Sequence, residues 1–600
     1  MMTDGENSPR DYIFGELDQP KNAAHWLKER LSGIRHFSRK TPAAPKPDDA
    51  VVLKVTTDAG QPVEEIFVWF TTDDWQTTQK MPFTRSHLAW NSIAWTYVQE
   101  WQVTLPPHSE GVMLRYRIGA RTDNSELITF SDNQAISPDE ATQYSIWYGR
   151  NCNPAWAKEA IVYQVFVDRF NPGKGKDWIQ TSDICKHYGG TLAGVIEKLP
   201  YIKAMGFNAI WPTPIFDSPT HHGYDTKDYF RINPRFGTLE DFQLLISEAH
   251  RLRIRVILDF VANHCSNQHP YFMDALKNQY SQYHDWFVWK KWPEYDSFFN
   301  VGSMPKVNLA YGSPARKHLL SAAQYWLDMG VDGYRLDYAY GPEHDFWVDF
   351  RRACVSVNPE IWTFGELVLP ADIQASYSDS LGGSLDFLLC QALRSTIGTG
   401  TWKLSKFAGF LDSHFRYFPE DHSLPSFIDN HDMDRFFTIA NEDIQRLKLA
   451  LLILYVLPGP PIIYYGSEVP LSQNHLLHEG GGLGFDEARL EMDWQGEDSF
   501  EITGYLKKLA DIRSQKAFYS KDIWHVVVLD DEEQILVMAT EGTKELLVIN
   551  RSGIQRSISI PANNQEGEYL DLVTDDVHRY SERQLTLSIP PSSGVILSGN

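Results

Sequence analysis

The spacing of apolar and polar positions changes twice along the chain. From about residue 50 to 150, short apolar runs (VVLKVTT, EEIFVWFTT, QEWQVTL, GVMLRYRIG) are separated by Gly, Pro, Asp and Asn. Short strands at that interval predict a β-sandwich. Beyond Asn153-Pro154, strand-like runs alternate with amphipathic helical stretches. The runs at 160–170, 207–215, 256–264, 333–339, 361–367, 384–390, 426–432 and 461–468 fit strands. Between them, 238–252 sets Leu239, Phe242, Leu245, Ile246, Ala249 and Leu252 on one helical face behind a Thr-x-x-Asp cap. The stretch 315–330 does the same with Leu319, Ala323, Trp326 and Leu327. Eight alternating units predict an α/β fold, a (β/α)8 TIM barrel, flanked by N-terminal and C-terminal β-sandwich domains.

The expected divisions are a leader at 1–47, an N-terminal sandwich at 48–152, the barrel at 153–520 and a closing sandwich at 521–600. The leader holds a short helix (24–32) and a Pro-rich linker. The N-terminal sandwich is carbohydrate-binding-like in texture. A short subdomain is expected inside the barrel at about 265–306, and the GGGLG at 480–484 reads as a flexible loop.

Composition narrows the partners. A formal net charge of −23 argues against nucleic acid and against anionic membrane, and leaves a neutral ligand. The 19 Trp and 28 Tyr suit stacking on sugar rings, although most aromatics fill cores. Trp69, Trp75, Trp90 and Trp95 are candidates for such a surface. Cys152, Cys185, Cys265, Cys354 and Cys390 are odd in number and scattered, neither a disulfide framework nor a zinc site. The first twenty residues lack an apolar signal region, and the longest apolar run (449–457) is too short to span a bilayer. A cytoplasmic location is the expectation.

Polar residues gather where the strand runs end. In GYRLDYAYG (333–341) the alternation of a strand puts Gly333, Arg335 and Asp337 on one face. Alone, that pair fits a buried structural ion pair as well as a site. Asp259, Asn263 and His264 close the third run, Glu366 the fifth, and Asp429, His431 and Asp432 the seventh. In a barrel of this kind the C-terminal strand ends carry the chemistry, so the convergence favours an active site.

These segments resemble a known family. DFVANH (259–264), GYRLD (333–337), GEL (365–367) and FIDNHD (427–432) follow the order and spacing of the four signature regions of the α-amylase superfamily of glycoside hydrolases. MPKVN (304–308) is similar to a fifth region of its neopullulanase, cyclomaltodextrinase and maltogenic-amylase branch. The resemblance covers roughly the barrel.

The resemblance implies a retaining glycosidase acting on α-1,4-glucans, maltooligosaccharides or cyclodextrins. Such chemistry needs a carboxylate nucleophile and a carboxylic acid about 5–5.5 Å apart. By position, Asp337 would be the nucleophile, Glu366 the general acid and base, and Asp432 the third carboxylate that grips sugar hydroxyls. Arg335 would aim Asp337, His264 and His431 would bond the sugar, and Tyr224 would stack on it with His222 beside it. Asn263 matches a calcium ligand, yet Lys306 and Asn308 replace acidic ligands, so no cofactor is required and calcium is only compatible. Relatives with an N-terminal sandwich often pair, which makes a homodimer the expected assembly. A 4-α-glucanotransferase, an α-1,6-debranching enzyme and a non-catalytic glycan binder are the alternatives. Tyr338-Ala-Tyr-Gly-Pro, just past the nucleophile position, departs from both the amylase and the cyclomaltodextrinase patterns.

Overall fold

The computed structural model describes residues 28, 30–58, 62–122, 127–150, 152–477, 484–495, 499–518, 524–540, 544–562 and 564–599. Most of the helix expected at 24–32 and most of the glycine run at 480–484 lie outside them.

Two antiparallel sheets form the N-terminal region. One runs Ile34–Arg35, Val51–Asp58, Thr96–Leu105, Thr84–Asn91, and the other Tyr144–Trp147, Met113–Thr122, Val63–Thr71, Gln79–Pro82. Val51, Val55, Ile66, Val68, Leu114 and Ile118 are buried together between them. This is what alternating apolar positions require of a sandwich. The four Trp candidates do not share a surface. Trp69 packs on Phe67 and Phe130, and Trp75 lies under Arg117 with its indole N–H on Gln143. Trp90 and Trp95 are exposed together on a hairpin of the other sheet.

Next comes the barrel. Trp362–Gly365, Gly333–Asp337, Arg255–Val261, Ala209–Pro212, Val162–Val165 and Ile462–Tyr464 form one parallel sheet in that order. Two irregular passages close it. Gly365 bridges Ser384, Gly383 bridges Ser423, and Ser426 bridges Pro461, all in parallel sense. The ring therefore has eight members, six in regular ladders and two held by isolated bridges. The expected sixth strand (384–390) stops early because Asp386 caps the Leu389 N–H and begins the helix Phe387–Leu393. The expected seventh (426–432) starts just past Pro425, which has no N–H to give a ladder, and is held by the bridge of Ser426 to Pro461.

The helices form as their caps dictate. Leu239–Arg251 starts at Thr238, whose hydroxyl accepts the Asp241 N–H while Asp241 accepts the Thr238 N–H in return. Pro314–Asp328 starts at Ser313, with proline at the first turn where no N–H is needed. Their apolar faces, including Leu245 and Trp326, pack on outward-facing strand residues such as Ile210 and Leu258. Inward-facing Val162, Trp211, Ile257, Phe364 and Phe427 fill the barrel.

The excursion after the third strand carries a helix, Pro270–Lys277, and a hairpin, Trp289–Lys291 with Glu294–Tyr295. Past the barrel, six antiparallel strands from His525–Asp530 to Ser593–Gly599 and a separate pair, Arg556–Pro561 with Gln584–Ile589, close the chain. Among the described residues no helix is long and apolar enough to cross a membrane.

Candidate active site

The parallel register sets Asp259 opposite Arg335 and Val261 opposite Asp337. Arg335 is fully buried at the centre of the resulting cluster. Its Nη1 donates to Asp259 Oδ1 and to Asp337 Oδ1, each at 2.8 Å. Its Nη2 lies 2.9 Å from Glu366 Oε1. One guanidinium thus faces three carboxyls and can neutralise only one negative charge. Burial raises the Asp337 and Glu366 carboxyls, each raises the pair's resistance to a second negative charge, and Arg335 opposes both. Two acids so coupled hold a proton between them at pH values where either alone would be ionised.

Asp432 lies across the cleft in a different environment. Burial works against its charge, but His431 and Arg489 win and hold the carboxyl well below the usual range. Arg489 Nη2 is 2.7 Å from Asp432 Oδ1, and His431 Nε2 is 3.0 Å from Oδ2. His431 is oriented by the Gln164 side chain on Nδ1 at 2.9 Å. Tyr224 stacks parallel to His431 at 5.2 Å and donates its hydroxyl to Asp259 Oδ2 at 3.0 Å. His264 is buried and stacked on Phe298, with its Nε2 unpartnered and burial pushing the ring down to about 3, so it is neutral. His222 is likewise held neutral by burial and by Arg489.

His222, Tyr224, His264, Asp337, Glu366 and Asp432 therefore meet on one cleft of about 160 Å3, with Arg335 beneath it and His431 behind Tyr224. Asp429 turns away, accepting the Phe436 N–H and the Ser467 hydroxyl.

Asn263 does not fit a metal site. Its Oδ1 has no hydrogen-bond partner but faces Gly341 so closely that a side chain there would meet it at 2.2 Å. Calcium takes six to eight oxygens. Here the neighbouring segment brings Lys306, bridged to His264, and among the described residues no three His, Cys, Asp or Glu gather as ligands. An amide oxygen packed against Gly341, with lysine rather than an acid in the neighbouring segment, is a poor start for such a donor set.

The description "Alpha amylase, catalytic domain" matches residues 164–522. The chain belongs to the alpha-amylase family. It is a glycoside hydrolase of that family. It is 31% identical to Alpha-amylase 2 of Dictyoglomus thermophilum over 565 residues, 91% of this chain and 95% of that protein. It is 31% identical to Neopullulanase 2 of Thermoactinomyces vulgaris, over 74% of this chain and 78% of that one. Among solved structures, a cyclomaltodextrinase superposes with a TM-score of 0.70 at 24% identity, covering 95% of this chain and 99% of that chain. The alpha-amylase of Geobacillus thermoleovorans complexed with acarbose gives a TM-score of 0.65 at 28% identity, over 74% and 99%.

In this family member several cleft residues carry no signal in the sequence. Arg489, Phe485 and Phe298 line the site from irregular segments and short turns without periodicity, whereas Met304 opens the MPKVN segment. Asp486 and Arg489, three residues apart, are the nearest to a hint. Asp486 accepts from His221 at 2.8 Å and from Arg489 at 3.3 Å.

Proposed function

We propose that this enzyme hydrolyses α-1,4-glucosidic bonds of maltooligosaccharides, cyclodextrins or starch-derived glucans with retention of configuration. In that reading Asp337 attacks the anomeric carbon and expels the leaving oxygen, which takes the proton of Glu366. Glu366, now a carboxylate, then draws a proton from water as that water opens the glycosyl ester. Asp432, held ionised by His431 and Arg489, bonds sugar hydroxyls, as do neutral His264 and, from behind Tyr224, His431. Tyr224 offers the sugar a ring face with His222 at its side.

The observation that supports this most is the sharing of Arg335 by Asp337 and Glu366. Two acids on the two ends of one guanidinium are close neighbours, as a retaining mechanism needs. Their burial side by side disfavours two negative charges at once, so the pair keeps a proton that can be given to the leaving oxygen. The names of the relatives agree with an α-glucan substrate.

The test is sugar release from maltoheptaose, β-cyclodextrin, pullulan and soluble starch, with the anomeric form of the fresh product read by NMR. Asp337→Asn and Glu366→Gln are expected to lose on the order of 10²–10⁴-fold or more in kcat. Inverted product, or an Asp337→Asn variant of undiminished rate, would overturn the assignment.

The regions at 48–152 and 521–600 we assign as accessory domains of a cytoplasmic enzyme. The exposed Leu88, Trp90, Ile93, Trp95 and Tyr97 support pairing of two copies through the N-terminal hairpin. Mass in solution checks this, with a strict monomer as the contrary result.

A further inference from the structure

Glu366 is touched by a backbone amide that a regular ladder would have used elsewhere. The fourth and fifth strands pair with Leu336 opposite Gly365, and Glu366 N–H donates to the Leu336 carbonyl at 2.9 Å. Continued regularly, that parallel ladder has Tyr338 N–H donate to the Glu366 carbonyl. Instead Ala339 N–H makes that bond, at 3.1 Å. The ladder has slipped by one residue, in the manner of a bulge. The freed Tyr338 N–H turns to the Glu366 side chain and donates to Oε2 at 3.0 Å.

The slip sits on a residue that resists it. Tyr338 has φ +40°, in the left-handed region that a Cβ disfavours. Such a conformation persists only where its surroundings over-determine it. Here the ring of Tyr338 is flanked by Phe298 at 4.9 Å and Phe299 at 5.4 Å, and Phe298 is itself stacked on His264 at 4.4 Å.

We propose that Tyr338 is a positioning residue of the proton donor. Its left-handed backbone, set at the slip in the ladder, delivers the N–H that fixes the Glu366 carboxyl. This deepens the assignment of Glu366 above and rests on it. The groups that face Glu366 are Arg335 and Asp337 from the fourth strand and His431 and Asp432 from the end of the seventh. Asp259 reaches it through Arg335. Burial and the two aspartates favour the proton; Arg335, His431 and the Tyr338 amide favour its loss. An acid that must give up a proton in one step and retrieve one in the next works best between those extremes.

The experiment separates the backbone of Tyr338 from its ring. Tyr338→Gly and Tyr338→Val both remove the ring, so both lose rate from that cause. Glycine adopts φ > 0 freely, whereas β-branched valine opposes it. Losing a donor to the carboxylate makes ionisation harder, so the pKa of Glu366 rises. The basic limb of kcat/KM against pH on maltoheptaose should then move up by about one pH unit in Tyr338→Val. In Tyr338→Gly it should stay at the wild-type position. Tyr338→Ala, which lacks both the ring and the branch, should fall between them and serves if the valine variant does not fold. Basic limbs that coincide in the glycine and alanine or valine variants would overturn the proposal and leave Tyr338 as a cleft-lining ring. Full activity of Glu366→Gln would instead overturn the underlying assignment, which is a distinct result.

Discussion

Arg489 Nη2 sits 2.7 Å from Asp432 Oδ1 while its Nε donates to the carbonyl of His431 at 2.8 Å. One side chain from the loop after the last barrel strand thus fixes two consecutive residues at the end of the seventh passage. The His431 side chain and Arg489 together outweigh burial and hold Asp432 well below the usual carboxylate range. Arg489→Ala is expected to lower kcat/KM by about 10- to 100-fold, the scale on which a misplaced contact group costs rate. Arg489→Lys should recover part of it, since a point charge replaces a fork. Steady-state kinetics on maltoheptaose check this; an alanine variant of wild-type kcat/KM would contradict it.

The pH profile carries a second expectation. Burial raises Glu366, Arg335 opposes that, and the negative charge of Asp432 adds to it. Removing a nearby negative charge makes ionisation easier, so the Glu366 pKa falls in Asp432→Asn. A protonated Glu366 is needed for leaving-group departure, so the basic limb of kcat/KM should move to lower pH, by about one unit. The residual rate of the variant suffices to read it. A limb that stays in place would mean that Glu366 does not sense Asp432.

How much of this site is legible before the fold depends on how each residue is held. Asp337 and Arg335 share a strand face two residues apart, so alternation alone pairs them, and the 2.8 Å contact agrees. Thr238 and Asp241 announce their helix start for the same local reason. Arg489 and Phe485 could not be anticipated, because a loop residue's direction is set by tertiary contacts, here with Asp432, Asp486 and the His431 carbonyl. In the sixth run SLDFLLC is apolar in both periods, so its pattern does not separate strand from helix. The Asp386 cap decides for helix after three residues. Tyr338 lies between these cases: its place after Asp337 is plain, but a left-handed tyrosine leaves no trace in pattern.

Metal dependence gives a third expectation. Asn263 Oδ1 is closed off by Gly341, and Lys306 occupies the adjoining segment. Exhaustive chelation is expected to leave both kcat/KM and Tm unchanged, and added calcium to raise neither. A Tm that rises with calcium concentration would show linkage to a bound ion and contradict the donor-set argument.

The last expectation concerns the joint between the N-terminal sheets and the barrel. Arg115, on the strand Met113–Thr122, donates to Asp345 Oδ1 at 2.9 Å and to Asp349 Oδ1 at 3.0 Å. Arg316, on the barrel helix Pro314–Asp328, reaches the same two acids from the other side. Asp345 is wholly buried; burial would raise its carboxyl, but the two guanidiniums prevail and lower it. Its folded pKa is therefore below its unfolded one. Such a group contributes stability that is present above the ordinary carboxylate pKa and lost as pH falls through the depressed value. Removing Arg115 leaves Asp345 with Arg316 and the Ser145 hydroxyl. Arg115→Ala should then destabilise by about 2–4 kcal/mol, less than for a buried charge stripped of every partner. Asp345→Asn should also destabilise at neutral pH, and the gap to wild type should narrow as pH drops below about 4, where the wild-type acid begins to lose its advantage. Urea unfolding at pH 7 and at successively lower pH reads both, and a gap that widens on acidification would contradict the assignment of Asp345 as an ionised interface anchor.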